Sequence, residues 1–201
     1  MSKNLKTSKC KLTRKEELRD LILTGTTELN SKYDYSSITD MSCMFEWCPK
    51  LLRNVDLDIS NVENTERMFY RCESLTTVKI RNMNRVTNMR RMFYGCSELK
   101  DIELVGTKSV SNVHALFGDC VSLTTGPLVD TSNVESMCGM FDGCSSLTTV
   151  PKYDTSGVTN MRHMFFQCGN LSNIDVYNFP LFDFKQIRNK QLIADYPEVY
   201  I

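Results

Sequence analysis

The sequence predicts an α/β repeat solenoid: six 24-residue units, each a short helix plus a short strand, closed by a cap at either end. Three observations lead there. Cys48, Cys72, Cys96, Cys120, Cys144 and Cys168 are separated by 24 residues without one insertion. Phe45, Phe69, Phe93, Phe117, Phe141 and Phe165 precede those cysteines by three positions, and Leu51, Leu75, Leu99, Leu123, Leu147 and Leu171 follow them by three. Each unit opens on Ile38, Val62, Val86, Val110, Val134 or Val158, and nine of the eleven methionines stand in the columns three and six residues further on. One unit of this size cannot bury its apolar face alone, so neighbouring units must stack.

In chain order, residues 1–37 read as an N-terminal arm and capping helix. Thr13 and Glu16 form a capping-box pattern ahead of Leu18, Leu21 and Ile22, and Gly25 is a stop signal. Residues 38–181 hold the repeat. In its third unit Met89, Met92, Phe93 and Cys96 fall at i, i+3, i+4 and i+7, one stripe of a helix. The following Leu99, Ile102 and Leu104 end in the extended run DIELV, which suits a short strand. In the turn phrases DTSNV (130–134) and DTSGV (154–158), Asp and Ser side chains can bond nearby backbone groups and lead the chain into the next unit. Residues 182–201 leave the pattern and read as a C-terminal cap. There Asp183 and Gln186 can open a last short helix, and Phe179, Phe182 and Phe184 can cover the final unit.

The phrases SSITDMSCMF (36–45), TSNVESMCGMFDGCSSLTTV (131–150) and TSGVTNMRHMFFQC (155–168) resemble the BspA-like leucine-rich repeat family of bacterial surface proteins. The likeness covers residues 12–178 and includes the opening TRKEELRDLI. It implies a leucine-rich-repeat-like array that acts as an interaction module. Repeats of this type occur on adhesins and surface lipoproteins and in phage-encoded proteins, and the family implies no shared catalytic residues.

Composition narrows the classes further. Lys plus Arg balances Asp plus Glu at 24 each, which gives no bulk signal for nucleic acid or an anionic membrane. The charge is nevertheless lopsided, with 18 basic and 13 acidic residues in 1–100 against 6 and 11 in 101–201. No segment has the apolar length of a membrane span, and MSKNLKTSKCKLTRKEELRD lacks the apolar core of a signal peptide. We therefore expect a cytoplasmic protein, the alternative being a virion-associated or surface-displayed one that arrives by another route.

The nine cysteines include no CxxC pair and no Cys/His cluster at zinc-ligand spacing, so no metal or cofactor is implied. The column cysteines read as small apolar core residues. If the helices stack about 8–10 Å apart, those cysteines lie beyond the ~7 Å Cα limit of a bridge, which predicts free thiols. Cys10, Cys43 and Cys138 lie off the column and are the candidates for a reactive thiol. His114 and His163 form no pair.

Partner-reading residues belong in the columns that change from unit to unit. Lys79, Arg81, Arg85, Arg90 and Arg91, with Arg67 and Arg71 one unit earlier, form a basic cluster able to grip carboxylates or phosphates. A second candidate surface is the column Leu57, Arg81, Val105, Val129, Tyr153 and Tyr177. We expect a non-enzymatic, protein-binding solenoid with no catalytic residue. Head-to-tail self-assembly of a basic half on an acidic half is one alternative. A polyanion or nucleic-acid binder centred on Arg81 is another, disfavoured because no aromatic residues interleave those arginines.

Overall fold

The computed structural model describes residues 10–11, 14–24, 33–48, 53–186 and 190–195. Thr13, Gly25 and Leu51 lie outside the described residues. The backbone follows the 24-residue period as a stack of rungs. On one side, β3 (Asn54–Asp58), β4 (Thr77–Arg81) and β5 (Asp101–Leu104) form a parallel sheet in that order. A small parallel pair, β1 (Cys10–Lys11) with β2 (Tyr33–Asp34), precedes it. Val55, Leu57, Val78, Ile80 and Leu104 point from the sheet into the core.

Two expectations are corrected here. On the sheet side the described units after β5 carry no ladder strand, only isolated bridges at Thr125, Thr149 and Asn173. Pro127 and Pro151 occupy the positions where β4 and β5 have Lys79 and Glu103, and a proline offers no N–H to a ladder. Nor, among the described residues, does any unit contain the expected helix. The stretch holding the Met, Phe and Cys columns is a chain of turns. In the third unit the N–H groups of Met92, Tyr94 and Cys96 donate to the carbonyls of Met89, Arg91 and Phe93 at 3.1–3.2 Å, closing three-residue steps instead of helical ones. The N–H groups between them turn outward to the next rung. Met89, Arg91, Phe93 and Gly95 donate to Asn112, His114, Leu116 and Gly118 at 2.8–3.0 Å, and the same 23-residue offset recurs between the other turn rungs.

Spacing explains the choice. Strands stack at about 4.8 Å, whereas helices need about 8–10 Å, so helices on one side would outrun the sheet on the other. Turns laced by rung-to-rung hydrogen bonds keep both sides in step. The inward phenylalanines show that step directly: Phe45, Phe69, Phe93, Phe117, Phe141 and Phe165 stack face to face at centroid separations of 5.3–5.8 Å.

Consecutive turns require a left-handed residue at fixed places. Two columns supply it. Cys43, Arg67, Arg91, Ala115, Gly139 and His163 form one; Trp47, Arg71, Gly95, Asp119, Gly143 and Gln167 form the other, all with φ between 50° and 76°. Side chains with oxygen acceptors steer the entry to each run: Asp40, Asn64, Asn88, Asn112, Ser136 and Asn160 each accept from the N–H two residues on. Asp130 and Asp154 do the same for Ser132 and Ser156, as the turn phrases predict, and the serine hydroxyls' hydrogen bonds, with those N–H bonds, hold both carboxyls below their usual range.

The rungs step too closely for the helix-based spacing argument about the thiols, since about 4.8 Å brings column cysteines within bridging reach. The eight cysteines with described side chains are free. Cys72, Cys96, Cys120, Cys144 and Cys168 are buried, and each donates its S–H to the carbonyl of the preceding rung's phenylalanine at 3.0–3.1 Å. The off-column Cys43 is exposed, yet desolvation and Glu46 push its thiol above the ordinary value, which disfavours a reactive thiolate there.

Both ends are covered. Helix α1 (Lys15–Leu23) buries Leu18 against the first rung. Lys15 Nζ and Arg19 Nε donate to the carbonyls of Ser42 and Met44 at 3.0 and 2.8 Å, on the edge where no earlier rung supplies N–H groups. At the far end Phe179 and Phe182 set their edges against Phe165 at 5.1 and 5.3 Å, and Phe184 packs on Phe182. Asp183 accepts from Lys185 N–H at the start of a 3-10 turn over Phe184–Gln186, and helix α2 (Lys190–Asp195) follows separately.

Candidate functional site

The basic cluster divides between two sides of the stack. Lys79 and Arg81 project from the solvent face of β4, and Arg85 lies in the turn that follows it. Arg67, Arg71, Arg90 and Arg91 stand on the turn side, across the core. Most of these cations already have a carboxylate from an adjacent rung. Lys79 meets Glu103 at 2.7 Å, Arg81 meets Asp56 at 2.5 Å, Arg85 meets Glu63 at 2.5 Å and Arg90 meets Glu66 at 3.1 Å, while Arg67 pairs with Glu46. Such half-exposed pairs contribute little stability each, about 0–1 kcal/mol, but they lower the local potential. Among the described residues Arg71 and Arg91 have no carboxylate partner.

The second candidate surface does not exist as one face. Leu57, Val129 and Tyr153 are buried at 1–3% exposure, while Val105 and Tyr177 are exposed at 45% and 68%. Strand register explains the mixing: Leu57 pairs with Ile80, and Arg81 falls opposite Asp58, so counting by 24 crosses from the inner to the outer face. Tyr153 is withdrawn as a contact residue. Its ring packs on Phe141 and Phe179, its hydroxyl donates to Pro127 O at 2.7 Å, and burial pushes its phenol far up.

On the turn side an unexpected arrangement accompanies the arginines. Trp47, Tyr70 and Tyr94 form a ladder, Trp47 edge-on to Tyr70 at 6.0 Å and Tyr70 stacked on Tyr94 at 5.4 Å. The guanidinium of Arg67 lies 4.6 Å from the Tyr70 centroid, and that of Arg71 lies 4.9 Å from Trp47. Aromatic groups therefore do interleave the arginines, contrary to expectation. Their signal was present: Trp47 and Arg71 are 24 residues apart, as are Tyr70 and Tyr94.

Glycines shape the neighbouring rungs. A Cβ at Gly95 would stand 2.9 Å from Arg71 Cγ, and one at Gly118 would stand 2.6 Å from the Tyr94 ring. Beyond Tyr94 the surface turns acidic: Asp119 hydrogen-bonds Tyr94, raising the phenol to about 12, and desolvation with the Asp119 charge raises Asp142. Gly118→Ala should tilt Tyr94 off Tyr70 and destabilise by about 1–2 kcal/mol. Thermal melts check the loss, and a bathed, unshifted Tyr94 resonance by NMR would contradict the tilt.

Among the described residues no three His, Cys, Asp or Glu side chains converge to hold a metal ion, and no helix is long and apolar enough to cross a membrane. The fold and its outward residues define a parallel-stacked repeat solenoid whose varied side chains sit on a constant frame. The chain belongs to the family described as "Mycoplasma protein of unknown function, DUF285", which matches residues 20–128 and 123–193. It is also similar to a leucine-rich repeat protein from Bacteroides ovatus ATCC 8483 of known crystal structure, with 18% identity and a TM-score of 0.49, over 71% of this chain and 42% of that one. The chain thus spans less than half the length of that protein. No curated protein matches the sequence.

Proposed function

We propose that the protein is a BspA-like leucine-rich-repeat module of six units that binds another protein and catalyses no reaction. The observation carrying this reading is the contrast between columns in one rung frame. The inward position is Phe in every unit, from Phe45 to Phe165, while the residue after it, partly exposed in every unit but that of the buried Gly118, runs Glu46, Tyr70, Tyr94, Gly118, Asp142, Phe166. A fixed core under a varied surface suits recognition of a macromolecule. Head-to-tail assembly is less favoured, because Lys15 and Arg19 already occupy carbonyls on the edge that a preceding copy would need.

A nuclease-treated pull-down from host lysate tests it, comparing the intact protein with a variant carrying Lys79→Glu, Arg81→Glu and Arg85→Glu and with one altered at Arg71 and Arg91. Capture of a protein that is lost from a folded variant of either surface is the expected result. Capture that appears only when the nuclease is omitted, or turnover of a substrate dependent on one side chain, would replace the reading.

A further inference from the structure

We propose that the turn face of the first three rungs, built on Arg71 against Trp47 and Tyr70 and on Arg91 in the rung of Tyr94, takes a short acidic segment of a partner protein. This deepens the protein-binding reading and rests on it. Five of the seven cations in the basic cluster are matched by carboxylates of this chain, and Arg71 and Arg91 are the two left over among the described residues. Their Nε atoms, like that of Arg67, are buried without a hydrogen-bond partner. Both Arg71 and Arg91 are partly exposed, Arg71 also hydrogen-bonds Tyr70, and the terminal amines of a guanidinium are the edge that receives a carboxylate end-on.

Aromatic backing holds Arg71 in place before binding. Arg71 lies against Trp47 and over Gly95, whose missing side chain gives it room. A cation already ordered on a ring loses less freedom when it grips a ligand. Trp47 itself is 56% exposed, the one large aromatic of the ladder with open surface, and can cover an apolar side chain flanking the acid. Trp, Tyr and Arg together are the residue types that dominate binding hot spots.

The surroundings also limit the ligand. Asp119 and Asp142 follow on the same face, so an anion extending along the stack would meet carboxylates beyond Tyr94. Two free cations are few for a phosphate backbone. The Tyr70 and Tyr94 rings face each other at 5.4 Å and 14°, leaving no slot between them for a base. These features favour a short acidic peptide over single-stranded nucleic acid.

The test is fluorescence anisotropy with three labelled probes: an eight-residue alternating Glu/Leu peptide, its Lys/Leu counterpart, and a twenty-nucleotide oligothymidine. The full chain should bind the Glu/Leu peptide at least tenfold more tightly than the other two. Arg71→Glu with Arg91→Glu should weaken it by about 100-fold, roughly tenfold per arginine, while Lys79→Glu with Arg81→Glu should change it less than threefold. Should the Glu pair fail to fold, Arg71→Gln with Arg91→Gln, checked by circular dichroism, must still lose at least tenfold. Equal binding of the Glu/Leu and Lys/Leu peptides, or insensitivity to Arg71 and Arg91, overturns the site. If the lysate partner is nevertheless retained by the folded Arg71/Arg91 variant, the protein-binding reading stands without it. Preference for the oligothymidine overturns both.

Discussion

Phe117→Ala should lower the unfolding free energy by about 4 kcal/mol, the middle of the range for removing a buried phenylalanine. The ring has no solvent exposure and is stacked on both sides, at 5.7 Å on Phe93 and 5.4 Å on Phe141. Its loss removes transfer energy, opens a cavity, and breaks two aromatic contacts that add about 0.5–1.5 kcal/mol each. The cavity cannot close by rung movement, because the N–H of Phe117 and those on either side, Ala115 and Asp119, are bonded to the next rung at 2.7–3.0 Å. Phe45 is equally buried but stacks on one neighbour, Phe69, in the described structure. Phe45→Ala should therefore cost about 1 kcal/mol less. Urea unfolding of the two variants in parallel gives the comparison, and equal losses would mean that the stack carries no coupling between rungs.

The inward columns were legible because they depend on side-chain chemistry and a period, and both survive in a one-dimensional string. The backbone that carries them was not. Met89, Met92, Phe93 and Cys96 fall on one face of a helix, but successive turns with three-residue closures place the same four side chains inward. Only the left-handed columns distinguish the two, and glycine marks them at Gly95, Gly139 and Gly143 while Arg, Asp, Trp, Cys, Ala, His and Gln fill the rest. Neighbouring rungs tolerate these side chains because the lateral ladder fixes the backbone against the usual cost of about 1–2 kcal/mol per residue. The lost strands had a plain signal in Pro127 and Pro151.

Charge was legible residue by residue and misleading as a cluster. Seven basic side chains close in sequence suggest one positive patch, yet the fold sends Lys79 and Arg90 to different sides and sets each beside an acid roughly one unit away, Glu103 and Glu66. Counting one period in both directions from every cation would have found those partners, and would have left Arg71 opposite Trp47. The second surface failed for the converse reason: sheet register advances by 23 between β3 and β4 and by 24 between β4 and β5, so a strict count places Leu57 and Arg81 in one column although their side chains face opposite ways.

Stability should fall steeply in alkali, and the five buried column thiols set the slope. Burial pushes Cys72 and Cys168 up to about 12 and Cys96, Cys120 and Cys144 well above the ordinary thiol value. In the unfolded chain the same groups ionise near about 8.5. A folded-state value above the unfolded one means that their contribution is whole below about pH 8.5 and is lost as pH rises toward the folded value. Over that window the unfolded state holds about five fewer protons, which gives a loss of roughly 7 kcal/mol per pH unit at full effect, or about 1.4 per thiol. Tyr153, raised by burial, adds the same sign at higher pH. Urea unfolding in reductant at pH 8, 9 and 10 measures the slope, and Cys120→Ala should remove about one fifth of it whatever its own cavity cost. A slope unchanged by Cys120→Ala would place the alkaline transition elsewhere. A slope near zero would mean the thiolates are accommodated in the fold, against the S–H donation to each preceding phenylalanine carbonyl, since a thiolate facing that oxygen has no proton to donate.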